Sequence, residues 1–203
     1  MEACIQLNDL ESDLLGELFN IAVGKAASSL SLMLHQTIDL SVPEVDFVST
    51  TVLSEYLAEH GELCSVSQQM DGPFSANTML LFPEKSSLNM VRLMLGSGIS
   101  DELIYQMHAE ALMEISNIVL NACIGAFAEA LSESFTVDIP CFRQARGEDL
   151  FPDEYNTLNN VLFIRINLSL SDTKEKGYIV FLFGAGSFES LHHSLAKILQ
   201  QYK

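Results

Sequence analysis

Two pairs of glutamate and asparagine, each spaced three residues apart, are the residues of this sequence best suited to chemistry. Glu17 and Asn20 form the first pair, and Glu114 and Asn117 form the second. A carboxamide can orient a water molecule, and a carboxylate can bind a cation on a partner. Neither pair has a nucleophile, a histidine or a cluster of metal ligands at suitable spacing, which argues against acyl transfer. The pairs suit phosphoryl transfer, which depends mainly on positioning and charge neutralisation.

The first pair lies on one stripe of a predicted amphipathic helix. At about 100° per residue, Asp13, Glu17 and Asn20 fall within about 60° of one another, and apolar residues occupy the opposite side. Gly24 follows one turn later, where a small residue would let the backbone of another protein approach. Every amphipathic helix has a polar face, so a single copy of this pattern would carry little functional weight.

The second pair repeats this arrangement at a constant offset, which places Asn117 in the position of Asn20. Glu110, Glu114 and Asn117 again share one stripe opposite apolar residues. Asn121 occupies the position that Gly24 holds in the first copy, where it would either hinder docking or add a contact. Asparagine is a middling helix former that is more common at caps and turns. Its repetition in mid-helix therefore favours a functional interpretation.

The same offset relates Pro43 to Pro140, so the repeat extends well beyond the two helices. Each half is predicted to contain a long helix, a strand that meets the proline, a hairpin and a closing helix. No flexible linker separates the halves. The sequence thus predicts one α/β (α+β) domain over residues 1–203, built of two fused repeats at about 1–98 and 99–203. Two long helices would pack on a mainly antiparallel sheet with approximate two-fold symmetry.

Several element boundaries follow from local signals. Asn8 and Glu11 form a predicted capping box at the start of the first long helix. Ser100 is the predicted N-cap of the second, which should run from about 102 to 133. Residues 143–160 are polar and rich in turn formers, which predicts a loop. The turn of the second hairpin is predicted at 173–177.

Composition excludes several classes of partner. The net charge is −17 with only ten lysines and arginines, which disfavours binding to nucleic acid or to an anionic membrane surface. The four cysteines do not form a C-x-x-C motif, and no histidine lies at zinc-ligand spacing, so no metal site is predicted. Neither a signal peptide nor an uncharged apolar run of membrane-spanning length is evident. A cytoplasmic location with reduced thiols is expected.

The two motif copies resemble one known family. The pattern Asp/Ser-x₃-Glu-x₂-Asn-x₂₂-Pro marks the CheC, CheX and FliY chemotaxis phosphatases. This sequence matches it at Asp13, Glu17, Asn20 and Pro43, and again at Glu110, Glu114, Asn117 and Pro140. Two copies in about 200 residues are most similar to CheC, because CheX usually keeps one copy and FliY carries an additional motor-switch domain.

The resemblance implies a CheC-like fold and hydrolysis of the aspartyl phosphate on a CheY-like receiver domain. By that resemblance, Asn20 and Asn117 would orient the attacking water, and Glu17 and Glu114 would anchor a lysine of the receiver. Accessory roles in binding the substrate protein would fall to Asp13, Gly24, Glu110 and Asn121. The Mg²⁺ ion belongs to the receiver, so no cofactor is expected on this chain.

Alternatives remain at this stage. The chain could be a non-catalytic adaptor that uses the same helix faces to bind a receiver or another chemotaxis protein. A structural part of a flagellar switch is a third hypothesis, against which the missing motor-switch domain argues. CheC typically binds the deamidase CheD through an amphipathic helix after the second proline. Residues 143–156 do not show that pattern, so the resemblance gives little support for a CheD partner.

Overall fold

The computed structural model describes residues 7–96, 98–151, 155, 158, 161–170, 173–184 and 186–201. Only the backbone is described for Pro43, Leu170, Thr173 and Gln201. The described helices are α1 (Asp9–Leu34), α2 (Thr50–Ala58), α3 (Glu84–Leu95), α4 (Asp101–Leu131) and α5 (Ser187–Gln201). The described strands are β1 (Ile38–Val48), β2 (Glu62–Asp71), β3 (Ala76–Pro83), β4 (Thr136–Val137), β5 (Cys141–Arg146), β6 (Val161–Leu170) and β7 (Thr173–Phe183).

One antiparallel sheet connects the two halves of the chain. Its strand order is β1-β6-β7-β3-β2-β4, and β5 also pairs with β2 beside β4. The order is symmetric about the central pair of β7 and β3. Each half contributes one hairpin, β2–β3 or β6–β7, and the first strand of each half pairs with the hairpin of the other half. The predicted fold class, with its pseudo-two-fold repeat and antiparallel sheet, is confirmed. The division into residues 1–98 and 99–203 stays a prediction.

The sheet separates two apolar cores because alternate side chains of a strand point to opposite faces. On one face, residues such as Leu80 and Phe181 pack against α1, α3, α4 and α5. On the other face, Leu81 and Val180 pack against α2 and the segment around Phe151. The two long helices therefore share one face of the sheet, and their outer sides are turned away from it.

The start of α1 is fixed by the capping box that the sequence predicts. The side chain of Asn8 accepts a hydrogen bond from the backbone N–H of Glu11 at 3.1 Å, and Glu11 accepts one from the N–H of Asn8 at 2.9 Å. Glu11 is only 2% exposed, and its other oxygen lies 3.3 Å from Nε2 of His192 in α5. A cap of this type contributes about 1 kcal/mol. The contact with His192 also fixes the start of α1 relative to the closing helix.

A bulge interrupts β1 where the sequence places Pro43. The register against β6 shifts between Ser41 and Glu44. Proline cannot donate a ladder hydrogen bond, and it is tolerated at the edge of a sheet or at a bulge. In the second half, Pro140 lies between the short β4 and β5, so the predicted strand that meets this proline is divided into two.

Two predicted boundaries are wrong. Residues 143–146 belong to β5 and are not a loop; they are followed by a 3-10 turn at Gly147–Asp149. The predicted hairpin turn at 173–177 lies within β7, which pairs with β6 as far as Thr173 opposite Leu170. Both segments are rich in charged residues, and backbone pairing at an edge or a strand end does not require apolar side chains. The remainder of the predicted loop is described only at residues 147–151, 155 and 158.

Helix α4 is the one described helix that is long and apolar enough to cross a membrane by length and composition alone. In the fold, 56% of the apolar 18-residue stretch of this helix is buried. Its apolar side, which includes Leu112, Ile115 and Val119, packs into the core beneath α1 and against the sheet. The same composition is expected of the central helix of a compact fold, so it is weak evidence for a membrane span.

Candidate functional site

The two long helices pack against each other in opposite directions. The rings of Phe19 and Phe127 lie 5.6 Å apart, whereas Leu30 and Ile115 line one small apolar cavity. As the residue number rises in α1, the number of its neighbour in α4 therefore falls. Asn117 thus lies level with the region around Leu30, about ten residues or roughly 15 Å along the axis from Asn20. The two Glu/Asn pairs therefore form separate sites along the helix pair.

The first site consists of Asp13, Glu17, Asn20 and Gly24, and all four residues are exposed on one stripe of α1. Within the described part of the chain, the side chains of Glu17 and Asn20 make no hydrogen bond or ion pair. The opposite side of the helix is buried, with Leu15 and Phe19 in the core. The predicted orientation of this stripe toward solvent is confirmed.

Gly24 has no packing role in the fold. Among the residues that the structure describes, a Cβ atom added at this position would meet nothing within 4 Å. Glycine in a helix interior costs about 1 kcal/mol relative to alanine. The described contacts therefore give no reason for a glycine here. Its consequence is that no side chain projects from the outer surface of α1 one turn after Asn20.

The second site consists of Glu110, Glu114, Asn117 and Asn121 on α4. The two glutamates and Asn121 are exposed, whereas Asn117 is partly buried. The side-chain N–H of Asn121 donates a hydrogen bond to Oδ1 of Asn117 at 2.7 Å. This bond was not predicted from the sequence, although residues four apart are neighbours on a helix and the spacing was sufficient to suggest it.

An ion pair joins the two long helices beside the first site. Nζ of Lys25 lies 2.6 Å from Oε2 of Glu129, and both side chains are largely exposed. An exposed pair of this kind adds little stability. At the repeat-related positions next to the second site, Leu32 and Ala122 replace the charges, and Leu32 is 77% exposed. The surroundings of the two sites thus differ in polarity as well as in the residue that follows each asparagine.

A second polar cluster lies between α3, α4 and β2, away from both sites. His108 is buried, and its Nε2 lies 2.8 Å from Oγ of Ser87, which in turn donates to the backbone oxygen of Glu84 at 2.7 Å. Burial lowers the pKa of His108 below its usual value, and the charge of Glu84 partly opposes this shift. Burial likewise raises the pKa of the thiols of Cys64 and Cys123, the latter to about 12. These groups are neutral parts of the core at neutral pH.

Among the described residues, no three or more histidine, cysteine, aspartate or glutamate side chains come together as they would around a metal ion. The four glutamates and aspartates of the two sites, which are Asp13, Glu17, Glu110 and Glu114, are spread along the helix surfaces. Each site therefore offers a carboxylate and a carboxamide about one turn apart. Such a pair can hold a water and bind a cation that a partner supplies.

One family model matches the segment that carries the first site, and longer matches to individual proteins accompany it. The CheC-like family model matches residues 10–46, which span the first site and Pro43. A FliY flagellar motor switch phosphatase of Bacillus subtilis is 23% identical over 155 residues, and a CheY-P phosphatase CheC of the same organism is 23% identical over 138 residues. The predicted resemblance to the CheC, CheX and FliY family is confirmed.

These alignments cover only part of the relatives. The alignment with the FliY covers 73% of this chain and 40% of the FliY. The alignment with the CheC covers 66% of this chain and 66% of the CheC. The chain thus spans less than two thirds of the length of either relative. A FliY and a CheC are both among the matches, so the prediction that the two motif copies favour CheC within the family stays a prediction.

Solved structures show the same fold. FliY of Thermotoga maritima is 24% identical with a TM-score of 0.78, and the superposition covers 96% of this chain and all of that one. A chain of the FliG–FliM complex from H. pylori has a TM-score of 0.68 at 12% identity over 92% of this chain and 100% of that one. A chain of the CheX–CheY–BeF₃–Mg²⁺ complex from Borrelia burgdorferi has a TM-score of 0.52 at 20% identity, covering 82% and 95%. The predicted CheC-like fold is confirmed.

Proposed function

We propose that this chain is a cytoplasmic protein phosphatase that hydrolyses the aspartyl phosphate of a CheY-like receiver domain in chemotaxis or two-component signalling. The observation that carries the proposal is the exposed Glu17 and Asn20 on α1. They lie within the segment that the CheC-like family model matches, and the pair recurs at Glu114 and Asn117 on α4. Among the described residues, the only side-chain hydrogen bond made by either pair joins Asn117 to Asn121 of the same helix, so neither pair connects one element of the fold to another.

The chemistry needs few groups from the phosphatase. The carboxamide oxygen of Asn20 would accept a hydrogen from a water molecule, so that a lone pair of the water faces phosphorus. A bond forms from the water oxygen to phosphorus as the bond from phosphorus to the aspartyl oxygen breaks, and the aspartate leaves as a carboxylate. The water proton passes to the phosphate product or to solvent. The receiver would supply Mg²⁺, which neutralises the charge that develops on the phosphoryl oxygens.

Glu17 would hold the receiver in place. It lies about one turn from Asn20 on the same stripe, within reach of a cation beside the phosphorylated residue. The net charge of −17 would attract a basic surface over a longer distance. Glu114 and Asn117 would act in the same way at the second site, with Asp13 and Glu110 as accessory contacts.

Named relatives support the reaction class. The similar CheC of Bacillus subtilis is a CheY-P phosphatase, and the similar FliY is a flagellar motor switch phosphatase. A chain with the same fold forms part of the complex that contains CheX, CheY, BeF₃ and Mg²⁺. These similarities support a CheY-like receiver as the partner and leave CheD untested.

A double substitution tests the proposal. Asn20→Ala combined with Asn117→Ala removes both carboxamides from exposed helix positions, so the fold should be preserved. The double variant should lose about 10²-fold or more of its ability to accelerate phosphate release from the cognate receiver with Mg²⁺ present. Phosphate release is measured directly, and circular dichroism confirms the fold. Full activity in the double variant would contradict the site assignment.

The second candidate function is a non-catalytic adaptor. The likeness to a chain of the FliG–FliM complex favours it, because the same fold occurs there in a protein–protein complex. The two functions differ in one measurement. Tight binding of a phosphorylated receiver by the wild-type chain without faster dephosphorylation would support the adaptor and contradict the phosphatase.

A further inference from the structure

The two sites differ in the residue that lies one turn after each asparagine. Gly24 follows Asn20, whereas Asn121 follows Asn117. Asn121 donates a side-chain hydrogen bond to Oδ1 of Asn117 at 2.7 Å. Asn20 is exposed and Asn117 is partly buried. The carboxamide of the second site therefore has a partner within its own helix, whereas that of the first site is directed to solvent.

Oδ1 of Asn117, which accepts this hydrogen bond, is the atom that the proposed reaction needs. A water that attacks phosphorus presents a lone pair to it, so the hydrogens of the water must meet acceptors elsewhere. The carboxamide oxygen is the acceptor that an asparagine side chain offers. At the second site this oxygen is turned along the helix toward Asn121, and the bond must break before it can turn outward.

We propose that Asn121 is a positioning residue that holds the carboxamide oxygen of Asn117 away from a docked receiver, so that the first site carries most of the activity. The proposal rests on the phosphatase function and ranks its two sites. One hydrogen bond that must break before reaction reduces the rate by about tenfold or less. The two sites are then unequal, although both keep the glutamate and the asparagine.

The surroundings of Gly24 support the same conclusion. A side chain could be accommodated there, because an added Cβ would meet no atom of the described part of the chain within 4 Å. Glycine at this position of a long helix therefore lowers stability without easing any contact within the chain. Because Gly24 has no side chain, no side chain at the position of Asn121 can bond to the Asn20 carboxamide from the turn that follows it.

The experiment isolates the second site and then releases its asparagine. In the Asn20→Ala background, only Asn117 can act, and the remaining activity should be a minor part of the wild-type value. Adding Asn121→Ala should raise this activity by about three- to tenfold. The increase should occur in kcat, with the KM for the phosphorylated receiver nearly constant, because the oxygen is released without a change in docking. An unchanged or lower kcat would overturn the proposal.

A substitution of similar volume separates the hydrogen bond from the bulk of Asn121. Asn121→Leu, in the same Asn20→Ala background, keeps a large side chain but has no donor. The proposal expects it to raise kcat as Asn121→Ala does. If only the alanine variant were faster, steric hindrance would be the cause, and the positioning role would be wrong.

The reciprocal change places an asparagine at position 24, where it could bond to Asn20 as Asn121 bonds to Asn117. In the Asn117→Ala background, Gly24→Asn should lower kcat, and Gly24→Ala should retain more activity than Gly24→Asn because it adds no donor. Equal losses for the two variants would contradict the proposal.

Failure of this inference can be told apart from failure of the phosphatase proposal. The substrates are the CheY-like receiver domains of the source organism, phosphorylated by acetyl phosphate with Mg²⁺. If the wild-type chain accelerates phosphate release from none of them, the phosphatase function fails and the ranking falls with it. If the wild type is active and Asn20→Ala retains most of that activity, only the ranking is wrong.

Discussion

The acid and the amide of each site are expected to contribute to different kinetic parameters. Asn20 would act on the water, whereas Glu17 would act on the receiver, and the two side chains lie about one turn apart on the exposed face of α1. Because a helix fixes the spacing between them, the receiver that Glu17 binds is also the one whose phosphoryl group Asn20 can reach. This division makes the two roles separable by substitution.

Glu17→Gln, made in the Asn117→Ala background so that only the first site acts, should raise the KM for the phosphorylated receiver by roughly five- to tenfold. The lost interaction is one between charges, so the effect should diminish as ionic strength rises. Steady-state phosphate release at two salt concentrations measures it. Glu55→Gln is the matched control, because it removes the same charge from an exposed position on α2. An equal effect from this control would show that net charge, and not the site, is responsible.

The chemistry of the sites was accessible from sequence because helical spacing alone places a glutamate and an asparagine three residues later on one face. The state of each carboxamide was not, because it depends on the rotamers of Asn117 and Asn121. The ion pair between Lys25 and Glu129 was also missed, since it joins two helices whose relative direction the sequence does not encode locally. Contacts within a helix could thus be anticipated better than contacts between helices.

At the level of elements, buried polar contacts connect the second long helix to its neighbours. His108 of α4 meets Ser87 of α3, and its ring makes an edge contact with Phe142 of β5 at 5.7 Å. Burial lowers the pKa of His108, which means that the unfolded chain binds a proton more readily than the folded chain. Glu84 is the charged group that opposes this shift. Stability should therefore be full above the unfolded pKa of about 6.5 and decline at lower pH.

The wild-type chain should lose up to about 1.4 kcal/mol of unfolding free energy per pH unit below about 6.5, until the folded pKa is reached. His108→Gln should be less stable at pH 7.5 but should show a flatter dependence between pH 7 and pH 5.5. Urea unfolding at several pH values measures both. His193→Gln removes an exposed histidine of α5 and serves as the control. If the unfolding free energy of His193→Gln depended on pH as weakly as that of His108→Gln, the pH dependence could not be assigned to His108.

The elements were predicted best where a local signal marks their ends. The capping box at Asn8 and the N-cap at Ser100 are confirmed. Residues 143–146 of the edge strand β5 were missed because they are mostly exposed and carry no alternation of apolar and polar side chains. The pairing of this strand with β2 is made by backbone groups, which leave little trace in residue type.

For the whole molecule, the strand order makes each half incomplete. β1 pairs with β6 of the other half, and β2 pairs with β4 and β5. Residues 1–98 alone would leave β1 without a partner and would expose the apolar side of α1 that packs on α4. An isolated half therefore has too few partners for its backbone and too much exposed apolar surface.

Residues 1–98 and 99–203, expressed separately, should each lack cooperative unfolding. Mixed in equal amounts, they should regain helical circular dichroism and protection of the backbone N–H groups of β3 and β7 from hydrogen exchange. Thermal unfolding and hydrogen exchange measure these outcomes. Cooperative unfolding of either half alone would show that the repeats are separate domains, against the prediction of a single fused one.

The exchanged strands also determine when the chain can become ordered as it leaves the ribosome. Ile38 pairs with Leu170, so β1 is synthesised long before its partner. At typical translation speeds the interval is on the order of ten seconds, much longer than a helix needs to form. During that time the apolar side of α1 and the unpaired β1 remain open to wrong partners. Nascent chains of this protein should therefore depend on a chaperone until β6 has emerged.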